Sequence, residues 1–349
     1  PSLFDDVAAA ERELLEAIER EVGAAALDAR APIPKHACLT LAILGGDVVA
    51  LHAARERVTT WSAGRVVDWL EDLDTFSFQV ARRLHGAEDH DNADALLVRM
   101  AGRLFAGAPD AWIEDTLHVV LPPMLGSLPV GALPYRDRPL MDQTTLAYAP
   151  RVGSRRARWS RDDAPLIVGS ASDALPEVRR EVRALKRRFP RGDLLSGGAA
   201  DPDAVLRAMS GRGLVHLAGH ARARDDAPSL SALRVGAGWL AAADLDGVPL
   251  TRSLVVLSAC RTGDPGLRWH GEALAGFPRA LLAAGASRVV ASRWEVADAV
   301  ARRFMDWFYK ALETETPAGA VRAACLKVRS RFAHPADWAA FLCVEPGLL

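Results

Sequence analysis

The chain has 349 residues, 50% of them apolar, and 43 Lys and Arg stand against 44 Asp and Glu for a net charge of −1. That length holds a large core and sets two domains as the starting expectation, while the balanced charge excludes any global attraction to nucleic acid or to an anionic membrane. The four cysteines, Cys38, Cys260, Cys325 and Cys343, form no C-x-x-C pair and no finger-like Cys/His pattern. This argues against a disulfide scaffold or structural zinc and for a reducing, cytoplasmic setting without metal or cofactor. No apolar run is long enough to span a bilayer, and no secretory signal precedes the first helix. The chain begins at Pro1 rather than Met, as a piece excised from something longer would.

Residues 4–24 carry a helical stripe of Leu14, Leu15, Ile18 and Val22. Such a helix either docks on its own domain or ends an upstream helical array. Residues 38–61 read as a meander of three strands, the first two joined by Gly45-Gly46-Asp47, a hairpin signal. Two helices are expected near 64–85 and 91–106, then a strand at 116–121 and a Pro/Gly-rich stretch to Pro134. Residues 151–165, with five arginines, two aspartates and no strand pattern, read as a loop or linker. They open a basic region: 151–191 holds twelve Arg and Lys against five Asp and Glu. Without interleaved aromatics for base stacking, a solvated face is the simpler reading than a nucleic-acid surface.

From residue 166 strands and helices alternate. Strands are expected at 166–169, 193–195, 214–218, 232–235, 239–240, 254–259 and 287–291. Helices are expected at 176–189, 201–210, 241–246, 273–284, 297–312 and 317–332, the last two closing the domain. The pattern predicts an α/β fold with a mostly parallel sheet sandwiched by helices. The runs Leu214-Val215-His216-Leu217-Ala218 and Leu254-Val255-Val256-Leu257-Ser258 are apolar almost throughout, as central strands are. In such sheets sites form at the carboxyl ends of strands. His220 follows one run and Cys260 the other. If the strands are neighbours, a thiol and an imidazole share one crevice, which is how a thiol protease is assembled. The plainer alternative is a buried cysteine acting as a small hydrophobe. His216, inside its strand, reads as a core histidine with a hydrogen-bond partner. No G-x-G-x-x-G or P-loop follows a strand, so a nucleotide-binding domain is a weak third reading.

A longer series of landmarks carries a family resemblance. It runs from Leu117-His118-Val119-Val120-Leu121-Pro122 through Leu214–His220, Leu254–Cys260 and Thr262-Gly263. It continues with Gly271-Glu272, Ala283-Ala284-Gly285-Ala286, Trp294-x-Val296-x-Asp298, Phe308-Tyr309 and Trp338-Ala339-x-Phe341. These residues resemble the CHAT domain, a caspase-like peptidase family related to caspases and separase. The resemblance implies a caspase-like fold in three parts: an N-terminal helix and linker (1–34), a degenerate pseudo-caspase α/β half (35–150) and a catalytic half (151–349). The first half has no His/Cys pair at strand ends, since His36 and Cys38 lie at or before a strand's start. It implies Cys260 as nucleophile, His220 as general acid/base, and an oxyanion hole from the amides of Ala221 and Cys260. Ala221 replaces a glycine common in the family, and alanine resists positive φ. Asp264, Glu272 and Asp298 are candidates for a pocket that receives a basic substrate residue; Arg222, Arg224 and Arg261 argue the other way. The activity implied is a cysteine endopeptidase acting on a protein or peptide, controlled by an upstream sensor, repeat module or regulatory protein. A catalytically silent CHAT-fold scaffold is the alternative.

Overall fold

The computed structural model describes residues 37–55, 57–86, 91–110, 112–150, 159, 164–169, 176–222, 230–261 and 276–347, with the backbone alone at 176 and 259–261. The expected helix at 4–24, His36 and nearly all of the arginine-rich 151–165 stretch lie outside these residues.

The chain opens with an antiparallel meander, β1 (Cys38–Leu44), β2 (Asp47–Ala54) and β3 (Arg57–Arg65). Gly45 and Gly46 both take positive φ (59° and 89°), the backbone a two-residue hairpin with native twist demands. Helices α1 (Val66–Leu84) and α2 (Ala93–Phe105) follow, then β4 (Thr116–Val120), a small β5–β6 ladder (Pro134–Tyr135 and Arg138–Pro139) and β7 (Thr145–Ala149). Trp61 and Trp69 bury their rings and donate their indole N–H groups to the carbonyls of Leu104 and Ala63, each at 2.7 Å. The first of these ties α2 to the meander.

The second part runs β8 (Leu166–Gly169), α3 (Pro176–Arg188), β9 (Asp193–Ser196), α4 (Pro202–Met209), β10 (Leu214–Arg222), β11 (Ala232–Val235), β12 (Gly238–Ala241), β13 (Leu254–Arg261), α5 (Phe277–Ala283), β14 (Arg288–Ser292), α6 (Asp298–Ala311), α7 (Pro317–Arg329), α8 (Pro335–Trp338) and β15 (Phe341–Val344). Asp201 and Thr316 cap α4 and α7 by accepting from the N–H of Ala204 and Gly319, each with a proline just inside the helix.

All strands except β5 and β6 join one 13-stranded sheet. β9, β8, β10, β13 and β14 run parallel in that spatial order. β15 reverses direction against β14, and β15, β7, β4 and β1 form a second parallel block that ends in the β1–β2–β3 meander. The sheet is thus mixed and mostly parallel, flanked by helices. Several details differ from the sequence-based expectation, among them β3, which runs on to Arg65, and the short β5 and β6. Residues 242–245 form a 3-10 turn rather than an α-helix. β10 and β13 run longer than expected. β7 is an unexpected strand. The chain does not close with α7: α8 and β15 follow, and β15 enters the middle of the sheet. Its run Phe341-Leu342-Cys343-Val344 is too short and too uniformly apolar for periodicity to separate strand from helix.

β15 also receives the aromatic packing of α6: Phe304 stacks on Phe341 with centroids 3.6 Å apart and lies near Phe308. Phe304 is fully buried. Phe304→Ala should cost about 3–5 kcal/mol of stability, read as a lower urea midpoint with an unchanged slope; a loss below about 1 kcal/mol would show that this stack is not a core element.

Candidate active site

The site is built where β10 and β13 run side by side. Eight consecutive residues pair in parallel, from Leu214↔Leu254 to Ala221↔Arg261, and the register sets His220 opposite Cys260. On its other edge β10 pairs with β8 only over Val215–Ala218. Beyond the end of β8 that edge is taken by β11, which pairs at Ala221 and Arg222. This hairpin explains why β10 continues past Ala218. His220 and Cys260 therefore lie within the last residues of their strands, not beyond the strand ends.

Ala221 sits in the extended strand between Leu233 and Arg261 and is not among the described residues with positive φ. Alanine is unstrained there, so the expected penalty against a glycine does not arise. Asp264, Glu272 and Arg224 lie outside the described residues. Arg222 places its guanidinium 4.4 Å from the centroid of Trp239 on β12.

Alternation along β10 puts His216, Ala218 and His220 on one face, and helices α3 and α6 cover it. At the inner end His216 is buried. Its Nδ1 lies 2.8 Å from the Tyr309 hydroxyl of α6, and its Nε2 lies 2.8 Å from Oε1 of Glu181 on α3. One turn earlier on α3, Glu177 faces Arg302 of α6, with Nε and Oε2 3.0 Å apart. At the outer end stand His220, half-buried, and Asp298, the first residue of α6.

These groups act on one another. Burial, and the charge of Arg234 to a lesser degree, hold the His220 imidazolium below its ordinary range, while the carboxylate of Asp298 pulls it back up. Asp298 is raised above the usual carboxylate range. Lost hydration is the main cause; Glu177 and Glu181 add to it and His220 opposes it. Asp298 nevertheless keeps much of its surface in solvent. Of the three expected pocket acids, this one is placed near His220.

Sequence reasoning read His216 correctly as a partnered core histidine but missed Glu177 and Glu181. Glu181 is buried beside Val182 and Leu185. A charged residue on the apolar stripe of α3 was the signal available. The other cysteines have no reactive poise: burial pushes the Cys38 thiol up to about 11 and the Cys325 thiol up to about 12, and also raises Cys343. In the basic region, Arg180 pairs with Glu177, Arg188 with Glu313, and Lys186 with the carbonyls of Pro190 and Gly192.

Residues 94–345 match the model of the CHAT domain. The chain belongs to the CHAT domain family. Among curated proteins it is 35% identical to mouse tetratricopeptide repeat protein 28 over 108 residues, and 33% to the human protein. Each match covers 30% of this chain and only 4% of the relative. Among solved structures, Saccharomyces cerevisiae separase in its complex with securin superposes with a TM-score of 0.57 at 9% identity, over 88% of this chain and 30% of that one. Porphyromonas gingivalis RgpB gives 0.49 at 13% identity, over 81% and 77%. The separase likeness shows the fold: this CHAT domain has the caspase-like α/β arrangement. No helix among the described residues is long and apolar enough to cross a membrane.

Two predictions follow from the groove. The His220 imidazole should titrate below pH 6.5 by NMR, and Asp298→Asn should move its midpoint further down, because the carboxylate is what favours the charged ring. The unfolded chain then binds the proton more readily than the folded one. The His220 contribution to stability is therefore full above about pH 6.5 and is lost as the pH falls from there to the folded midpoint. A midpoint above 6.5, or an upward move in the variant, would contradict this geometry. His216→Ala leaves Glu181 buried without its partner and should cost about 3–5 kcal/mol of stability, measured by thermal melts beside initial rates. A variant of native stability would show that His216 is not a core residue.

Proposed function

We propose that this CHAT domain is a cysteine endopeptidase that cleaves a specific protein partner, with Cys260 as nucleophile and His220 as general acid/base. The observation that carries the reading is the parallel register that sets His220 opposite Cys260 on adjacent central strands. Adjacent strands lie about 4.8 Å apart, which is within the reach of a thiol and an imidazole. The depressed His220 leaves the ring neutral at pH 7 and able to accept the thiol proton. The thiolate then attacks the scissile carbonyl. Amides at Cys260 and Ala221 are the candidates for stabilising the oxyanion, and His220 returns the proton to the leaving amine. Water, deprotonated by the same ring, hydrolyses the acyl-enzyme.

For the residue before the scissile bond we favour a basic or uncharged side chain over aspartate. Asp298 stands near His220 with Glu177 and Glu181 behind it, and such a carboxylate group favours a guanidinium when water is excluded. Arg222 is stacked on Trp239. We read residues 35–150 as the degenerate half and 151–349 as the catalytic half. Because the chain spans 4% of the curated relatives it matches, an attached repeat or sensor module that regulates the site is part of the proposal. So is action in the cytoplasm without metal or cofactor.

A thiol-reactive peptide electrophile should label Cys260, and Cys260→Ala should lose both the label and peptide cleavage, a fall on the order of 10⁴-fold or more, while melting like the native chain. A folded wild-type domain that neither labels nor cleaves when joined to its upstream module would establish the silent scaffold instead. A peptide library varied only at the residue before the scissile bond decides the pocket; a preference for Asp or Glu would assign it to the arginines.

A further inference from the structure

Beside the groove, the β11–β12 hairpin has two unlike faces. Leu233, Val235 and Leu240 point into the core and are buried. Arg234 and Trp239 alternate with them, pair across the two strands and stay half-buried. β11 joins β10 with Arg222 opposite Ala232. Strand alternation therefore puts Arg222, Arg234 and Trp239 on the face of the sheet that carries His220. Continued by one residue, the same register sets Arg234 opposite His220, and that ring feels the charge of Arg234. With His220 opposite Cys260, one row of residues crosses four strands: Cys260, His220, Arg234 and Trp239.

The Trp239 ring gathers both cations. The guanidinium of Arg222 lies 4.4 Å from its centroid and that of Arg234 5.7 Å. Stacking on an aromatic ring uses the flat face of a guanidinium and leaves its in-plane N–H edge able to donate. It also orders the side chains before any ligand arrives. Among the described residues no carboxylate forms an ion pair with either arginine. Asp244, just past β12, accepts instead from the amide N–H of Ala241. Two like charges held on one ring repel, and a carboxylate that accepts from them relieves the repulsion.

We infer that Arg234 and Arg222, stacked on Trp239, form a second specificity subsite that takes the carboxylate of an Asp or Glu side chain in the substrate. The inference rests on the peptidase reading and adds to it a substrate residue other than the one before the scissile bond. Two strand spacings separate the positions of Cys260 and Arg234, roughly 10 Å, which an extended peptide covers in about three residues. The acid therefore lies a short way along the substrate from the scissile bond, on the hairpin side of the groove. A basic or uncharged residue near Asp298 and an acid at the hairpin would together fix the register of the bound peptide.

Two measurements on the whole chain test it. In the first, synthetic peptide pools keep the preferred residue before the scissile bond and carry Glu, Gln or Lys at one of the other positions near it. At one position Glu should be cleaved about tenfold faster than Gln. Arg234→Gln should bring that ratio to about one, and Arg234→Glu should move the preference to Lys. Ratios taken within one variant are unaffected by what the lost charge does to His220. Should the Arg234 variants not fold, Arg222→Gln, at an exposed position, should lower the same ratio. In the second, a fully randomised pool is passed over immobilised Cys260→Ala protein. Retained peptides should be enriched in Asp and Glu, and the enrichment should vanish when Arg234→Gln is added. Enrichment without any cleavage by the native chain would fail the peptidase reading and leave the acid site standing. Rates and retention indifferent to an acid at every position, or a Glu preference that survives in both Arg234→Gln and Arg222→Gln, would overturn the subsite.

Discussion

Eight residues of β10 and eight of β13 lie in unbroken parallel register at the centre of the sheet, and the site depends on that pairing more than on any single contact. A one-residue slip would send His216 and His220 to the opposite face. β10 is buried from Leu214 to Gly219 and β13 from Leu254 to Val256, so hydrophobic burial sets the register and the polar residues at its end inherit their position. The difference in edge partners does the rest. β8 supports β10 only to Ala218, and β11 then takes over and holds the strand extended through His220 to Arg222.

One face of β10 carries two histidines with different surroundings. His216 is enclosed between Tyr309 and Glu181. His220, four residues on, is only half-buried and, among the described residues, feels the carboxylate of Asp298 against the burial that disfavours its charge. The same pair of helices supplies both environments: α3 brings Glu177 and Glu181, α6 brings Asp298, Arg302 and Tyr309. Depth along the groove is what separates the enclosed imidazole from the half-buried one. A shift of α6 along its axis would alter both environments together, because its first residue faces the outer histidine and Tyr309 the inner one.

The second constraint is the reversal at β14 and β15. A parallel sheet ending at β14 would leave an open edge, and the β7–β4–β1 block would have another. β15 closes both: it pairs antiparallel with β14 and parallel with β7, and the Glu345 N–H donates to the Tyr148 carbonyl at 2.7 Å. A strand from late in the chain thereby joins β7, which ends at Ala149, to β14, which begins only at Arg288. Phe304 stacked on Phe341 and the buried Arg293 over Tyr148 lie at this junction.

Much of this was legible in the amino-acid sequence. Continuous apolar runs marked β10 and β13 as central strands, the Gly45-Gly46 turn marked the first hairpin, and the ordered landmarks from Leu117 to Phe341 marked the family. His220 and Cys260 stood out because a polar residue at the end of an apolar run is conspicuous without any knowledge of its neighbours. What the sequence alone left open was which strands are neighbours, because periodicity reports which way a side chain points and not what lies beside it. The adjacency of β10 and β13, the insertion of β15 between β14 and β7, and the meeting of Glu181 with His216 all join residues far apart in the chain. Strand pairing and helix packing over the whole sheet decided them, through burial that no local window contains.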